Sequence, residues 1–344
     1  MLLLTNTYSQ DASSFDSIPL FKEDTTQYFI APININSENS EYSPVFTKGQ
    51  ILFASDRNNM LGVVYTNETE KSLIDFYIAQ KIDSLTFKPA KSFSKTINTV
   101  FNDGPGCYSK DLSSIYFSSN SSYELNLKPK KVTLKNLQLF QSDFTKNTWT
   151  KPIKLPFCKS DFSFTHPCLS PDGKTLYFTS NMTGGYCGMD LYYSKLTNGV
   201  WSSPVNLGSK INSTFNEVFP FVSDINILYF SSDAPENFGG LDIYSFDFND
   251  TINSKKKILE APINSNKNDF CEFIDPTKHE SNFSSNRDPV KKDDIFFFNN
   301  KYPSIKNCTK YISPSYCFTF YEESTVSGLT SDDQTKLVYE WNLG

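Results

Sequence analysis

Histidine is nearly missing from this 344-residue chain, which has only His166 and His279, and that scarcity narrows the available chemistry. A Ser–His or Cys–His nucleophile has two imidazoles to draw on, and no G-x-S-x-G elbow presents a serine to either. The seven cysteines, at 107, 158, 168, 187, 271, 308 and 317, never form a C-x-x-C pair, so a structural zinc site has little support. No D-x-[DN]-x-[DN]-G run marks a calcium loop. Neither glycine cluster follows a strand and opens a helix, which excludes a P-loop or dinucleotide fingerprint. No metal and no cofactor is expected. Basic runs stop at Lys255-Lys256-Lys257, and a net charge of -6 with a pI of about 5.1 disfavours a nucleic-acid groove. No stretch is apolar for long enough to span a bilayer.

Aromatic residues are plentiful at 15%, with Phe and Tyr far ahead of Trp, while Gly and Pro are scattered along the chain. That composition favours strands joined by frequent turns. A heptad recurs four times, beginning at Ile35, Ile97, Ile211 and Ile263 and reading close to Ile-Asn-Ser/Thr-x-x-Asn-acid. A degenerate copy runs from Phe157 to Phe164. A repeat of roughly 50–60 residues marks a stacked or radial architecture.

Each heptad leads into a first strand that contains or abuts Pro or Gly, as in Pro44-Val45-Phe46, Pro167-Cys168-Leu169 and Pro220-Phe221-Val222. A turn follows, clearest at Ser170-Pro171-Asp172-Gly173, where Pro presets φ and Gly accepts a positive φ. The second strand centres on a recurring Phe at 53, 117, 178, 230 and 283, and an Asp or Asn closes it at 56, 120, 181, 233 and 286. Third strands open with Asp75, Asp190, Asp242 and Asp294, with Gln138 the exception. Fourth strands place an apolar residue before a Pro, as at Trp149, Trp201 and Leu259 and more loosely at Phe87; a missing N–H there suits an outer edge.

Four antiparallel strands per unit describe one blade of an all-β propeller. Five copies of strands one to three are followed by only four fourth strands. Phe29-Ile30-Ala31-Pro32, before the first heptad, is the missing one, so an N-terminal strand is expected to complete the last blade and remove its open edge. Five blades are predicted over residues 27–298, and six if residues 11–26 or 301–320 add strands.

Ser170 to Phe178, Gly184-Gly185 through Asp190-Leu191-Tyr192, and Trp201 to Gly208 resemble the TolB-type, WD-like propeller repeats of Gram-negative envelope proteins. Repeats three and four carry the likeness, and the others are eroded. Met1 to Gln10 reads as the last part of an export signal. Residues 301–344 read as a linker and the start of a PKD-like, immunoglobulin-like domain that stops in mid-motif at Trp341-Asn342-Leu343-Gly344. The resemblance implies a periplasmic or outer-membrane-associated protein. It also implies envelope-protein partners and, through an OmpA-like domain beyond Gly344, peptidoglycan. In an exported protein a local Cys308–Cys317 disulfide is plausible, whereas Cys107 and Cys168, at matching repeat positions, read as small core fillers.

The heptad acids Glu41, Asp103, Glu217 and Asp269 are expected around one mouth of the central channel, with Phe164 in the place of the fifth. Two readings stand for them: acceptors of backbone N–H bonds that lock each blade-to-blade crossing, or a ring that binds a cationic or polar group or supplies glycosidase carboxylates. His166, at the head of a first strand, reads as a hydrogen-bonded channel-lining residue, and His279 as a solvated turn residue. Tyr186 and Phe238, in the loops Thr183–Gly188 and Asn237–Gly240, share the acid face and either contact a partner or pack back onto their own loops. The expected function is a non-enzymatic interaction scaffold of the cell envelope, within a secretion or surface machine or as a peptidoglycan-anchored outer-membrane protein; the alternative is a carbohydrate-active enzyme using carboxylates at the channel.

Overall fold

The computed structural model describes residues 28–47, 49–57, 66–67, 73–121, 131–132, 136–275 and 280–300. The expectations for residues 1–10 and 301–344, including Cys308 and Cys317, and for His279 lie outside them.

The described chain forms five antiparallel blades. Blade one is built from Glu41–Thr47, Gln50–Ser55, Asp75–Gln80 and Lys91–Ser92. Blades two and three open with Asp103–Tyr108, Ser114–Ser119 and Gln138–Thr145, and with Phe164–Leu169, Thr175–Ser180 and Asp190–Thr197. Blade four comprises Glu217–Val222, Ile227–Ser232, Asp242–Asp247 and Lys257–Ile258. Blade five takes Asp269–Asp275, Glu280–Ser285 and Asp294–Asn300 from the C-terminal side and Tyr28–Pro32 as its outermost strand, so the ring closes as the strand count requires. A two-residue parallel pair, Thr66–Asn67 with Lys131–Val132, links the loops between strands two and three of the first two blades.

Proline breaks the outer edge where the sequence places it. In blade two Thr148–Trp149 and Ile153–Lys154 flank Pro152 and pair separately with Gln138–Thr145. Blade three repeats this with Val200–Trp201 and Val205–Asn206 about Pro204. A residue without an N–H interrupts the ladder least where no further strand follows.

The recurrent second-strand Phe is the hub of each blade. Phe53, Phe117, Phe178, Phe230 and Phe283 are buried. Each stands opposite a third-strand ring, Tyr77, Phe140, Tyr192, Tyr244 or Phe296, with centroids 5.7–6.1 Å apart. Such a pair adds about 0.5–1.5 kcal/mol beyond the area it buries.

First strands carry a bulge at one shared place. Their register shifts two residues after the heptad acid or its Phe164 counterpart. The residue there sits at positive φ in four blades: Ser43 at 58°, His166 at 51°, Phe219 at 53° and Cys271 at 54°. In blade two Gly104 takes φ 125° before a cis bond to Pro105. Bulges bend a strand and re-aim its side chains.

Candidate functional site

The heptad is a clasp between blades, and its acid is the centre. Glu41, Asp103, Glu217 and Asp269 have no exposed surface. Each accepts the N–H and hydroxyl of the Ser or Thr four residues earlier: Ser37 at 2.6 and 2.7 Å, Thr99 at 2.5 and 2.7 Å, Ser213, and Ser265 at 2.6 and 2.6 Å. Second-strand hydroxyls add bonds from Ser55 to Glu41, Ser119 to Asp103 and Ser232 to Glu217. In blades one and five a guanidinium completes the set, Arg57 on Glu41 at 2.8 Å and Arg287 on Asp269 at 2.6 Å. Charge-assisted bonds of this kind are among the stronger ones a fold contains.

The other heptad residues serve the same junction. The second-position Asn pairs through both amide atoms with a backbone N–H and C=O of the preceding blade's third strand: Asn36 with Ile295, Asn98 with Phe76, Asn212 with Leu191 and Asn264 with Ile243. The Asp or Asn closing each second strand accepts the N–H just before the acid position, as Asp56 does from Ser40 and Asn286 from Asn268. The acid's own N–H donates across the junction, from Glu41 to Asp293 O and from Asp103 to Ile74 O, both at 2.7 Å. Buried polar backbone is thereby satisfied at every crossing.

Third-strand acids lie beside these clasps and are poorly compensated. Across the sheet Asp75 stands opposite Ser55, Asp242 opposite Ser232 and Asp294 opposite Ser285. Both oxygens of Asp294 lack a hydrogen bond, and Lys291 reaches it only at 3.7 Å. Burial outweighs that long contact and pushes Asp294 up to about 6. Burial, helped by the Asp103 charge, raises Asp75 to about 8, and burial also raises Asp190, Asp242, Asp293 and Glu217. His166 goes the opposite way, lowered by burial to about 3. A carboxyl raised in the fold contributes stability that is full below its unfolded pKa and lost as pH rises through the folded value. A lowered His contributes stability present above about 6.5 and lost as pH falls toward 3. The melting temperature should therefore peak at mildly acidic pH and fall on both sides in a pH series. Asp75→Asn should leave it unchanged near pH 3 and raise it progressively from about pH 4, with the full gain reached above pH 8; a flat profile for both proteins refutes the assignment.

Tyr186 and Phe238 are held by the same third-strand acids. Asp190 accepts the Tyr186 N–H at 2.6 Å, and Asp242 accepts the Phe238 N–H. Glycine is required at these turns: a Cβ on Gly185 would lie 1.8 Å from Asp190 Oδ2, and one on Gly239 would lie 1.9 Å from the Lys267 carbonyl oxygen. The loops are pinned while their rings remain out, Tyr186 at 43% and Phe238 at 48% exposure. Phe215, in the neighbouring heptad crossing, adds a third exposed ring.

His166 stands apart from this face. It lines an axial cavity of about 540 Å³ that runs from the first-strand bulges to the turns between strands one and two, at Ser109-Lys110, Ser170-Pro171 and Asp224. The turns between strands one and two lie at the opposite end of the strands from the heptads. His166 Nδ1 is buried without a partner, so the expected hydrogen bond is absent at that atom. Cys107, Cys168 and Cys271 are free thiols on the same cavity. Thus the four acids sit inside blade junctions, Tyr186 and Phe238 lie on the heptad face, and His166 belongs to the axis. Among the described residues no cluster of three or more His, Cys, Asp or Glu could hold a metal, and no helix is long and apolar enough to cross a membrane.

No protein-family description matches the chain, and no curated protein does. Solved structures do. A putative TolB from Agrobacterium tumefaciens is 12% identical over 75% of this chain and 78% of its own, with a TM-score of 0.46. An endo-arabinase from Bacteroides thetaiotaomicron is 11% identical over 77% and 95%, at 0.48. A protein of unknown function from Dyadobacter fermentans is 11% identical over 80% and 99%, at 0.45. These are distant similarities of propeller architecture, and they assign no family and no activity.

Proposed function

We propose that this protein is a non-enzymatic interaction scaffold of the bacterial cell envelope, whose recognition surface is the heptad face of blades three and four. The observation that carries the reading is the trio of exposed rings, Tyr186, Phe215 and Phe238, two of them on loops tied to buried carboxylates. Rigid aromatic anchors lose little entropy on binding and dominate protein interfaces. The envelope setting, with other envelope proteins and peptidoglycan as partners, rests on the TolB-type repeat resemblance of blades three and four.

The rival reading is glycoside hydrolysis, which calls for two carboxyls roughly 5–9 Å apart in an open pocket. In its favour stands the axial cavity; among the described residues lining it, Asp224 is the single carboxylate. The heptad acids are already occupied as hydrogen-bond acceptors.

A photo-cross-linking amino acid placed at Tyr186 or Phe238 in cells should capture an envelope protein, and one placed at exposed Ile225 on the opposite face should not. The double variant Tyr186→Ala/Phe238→Ala should weaken that capture at least tenfold with its melting temperature unchanged. Equal capture from both faces, or sugar release from a polysaccharide panel by the purified protein, would count against the scaffold.

A further inference from the structure

The axial cavity is closed at its inner end by side chains that meet across the ring. Tyr42 of blade one and Phe219 of blade four, which are not neighbouring blades, stand 6.3 Å apart edge to face. Phe219 also packs on Phe270 at 5.0 Å and stacks on the His166 ring at 3.8 Å. Ser43 Oγ lies 2.9 Å from Cys271 Sγ, which uses the polar atoms of both. These contacts join blades one, three, four and five across the axis.

The walls are largely apolar, and the two charged lining residues, Lys110 and Asp224, stand at the rim. Five prolines, Pro44, Pro105, Pro167, Pro171 and Pro220, line the cavity with aliphatic and aromatic neighbours. Burial keeps the thiols protonated, raising Cys168 to about 11 and Cys271 to about 12 and pushing Cys107 well above the ordinary thiol value. The imidazole of His166 is held neutral by the same desolvation. At the rim, exposed Lys110 and Asp224 oppose one another in sign. An ionic ligand would lose its hydration here without a counter-charge on the floor. A volume of about 540 Å³ is in the range of small-molecule sites, which are mostly apolar with a few placed polar groups. Here the placed group is His166, whose ring plane is fixed by Phe219 and whose Nδ1 is unpaired.

We infer that the axial cavity is a binding site for an uncharged, planar small molecule bearing one hydroxyl or carbonyl, packed against the proline walls with its polar group beside the His166 imidazole. The site is separate from the heptad face, so it stands or falls independently of the scaffold reading.

The test uses the full chain and the neutral, polarity-sensitive naphthalene ketone prodan. Its emission should shift to the blue in a saturable manner, and 2-naphthol should displace it while naphthalene-2-sulfonate should not. His166→Phe keeps a ring at a backbone position where blade four already carries Phe219 at the same φ. That variant should bind prodan about fivefold more weakly, the worth of one hydrogen bond, and should bind 2-methylnaphthalene, which has no polar group, within twofold of the parent. Leu169→Trp, at the cavity wall, should abolish both. Unsaturable prodan emission, or equal displacement by the sulfonate, overturns the site in the unaltered protein whether or not either variant folds. Unchanged prodan affinity in His166→Phe overturns the role given to the imidazole, and full binding by a folded Leu169→Trp protein overturns the location.

Discussion

Asp269→Ala should destabilise the propeller by about 3–5 kcal/mol, the usual loss when one partner of a buried pair is removed, and should lower its melting temperature by on the order of 10 °C. The deleted carboxylate accepts the Ser265 N–H and hydroxyl and one arm of Arg287. Arg287 is itself largely buried, 19% exposed, with its guanidinium over the rings of Phe283 and Phe296 at 4.6 and 5.3 Å. Its remaining bonds go to the Pro262 and Ile263 carbonyls and to Ser285 Oγ, none of which carries a compensating charge. The variant therefore leaves a buried cation unpaired and unties the crossing between blades four and five.

Glu217→Ala provides the control, because Ser213 and Ser232 supply its hydrogen bonds and, among the described residues, no arginine pairs with it. Burial raises the Glu217 pKa, so its charge is disfavoured in the fold. Its removal should cost about 1–3 kcal/mol, the penalty for hydrogen-bond donors left without an acceptor. Adding Arg287→Met to Asp269→Ala should recover part of the loss, giving a coupling that a double-mutant cycle resolves. Equal losses at positions 269 and 217, with strict additivity at 269 and 287, would contradict the part assigned to the guanidinium.

What could be read in the sequence was whatever repeats as side-chain chemistry. The heptad, the central Phe and the Asp or Asn after strand two all recur because each meets the same partner in successive blades. Closure by Phe29-Ile30-Ala31-Pro32 followed from counting strands. The bulge was invisible because Ser43, His166, Phe219 and Cys271 share a backbone conformation and no chemistry. Without the bulge, the axis reads as an open channel, and acids next to it read as its mouth. Their burial follows from a local fact, the donor four residues earlier in each heptad, which folds the carboxylate back into the junction. The anchoring of Tyr186 and Phe238 was equally hidden, since it depends on glycine loops doubling back onto Asp190 and Asp242.

Deleting residues through Pro32 should cost about 4 kcal/mol or more and make the ring prone to self-association. Tyr28–Pro32 is the outer strand of blade five, and Phe29 packs on Phe297 with ring centroids 6.3 Å apart. Ile30 packs against the cluster of Ile243, Phe283, Phe296 and Phe298. Burying such a side chain is worth about 1.5–3 kcal/mol, and each strand hydrogen bond adds roughly 1 kcal/mol. Ile33, whose N–H reaches Ile295 O at 3.1 Å, would remain but lose the strand that delivers it. The exposed edge of Asp294–Asn300 would then offer unpaired backbone groups to any second copy. Because the closing strand comes from the far end of the sequence, its contribution should be restorable in trans. A peptide spanning residues 27–34 should raise the melting temperature of the truncated protein in a saturable way, by an amount growing with the logarithm of its concentration above its dissociation constant. A scrambled peptide should do nothing. A truncated ring as stable as the parent, or one unmoved by the peptide, would mean that blade five is complete with three strands and that closure resides in the heptad clasps alone.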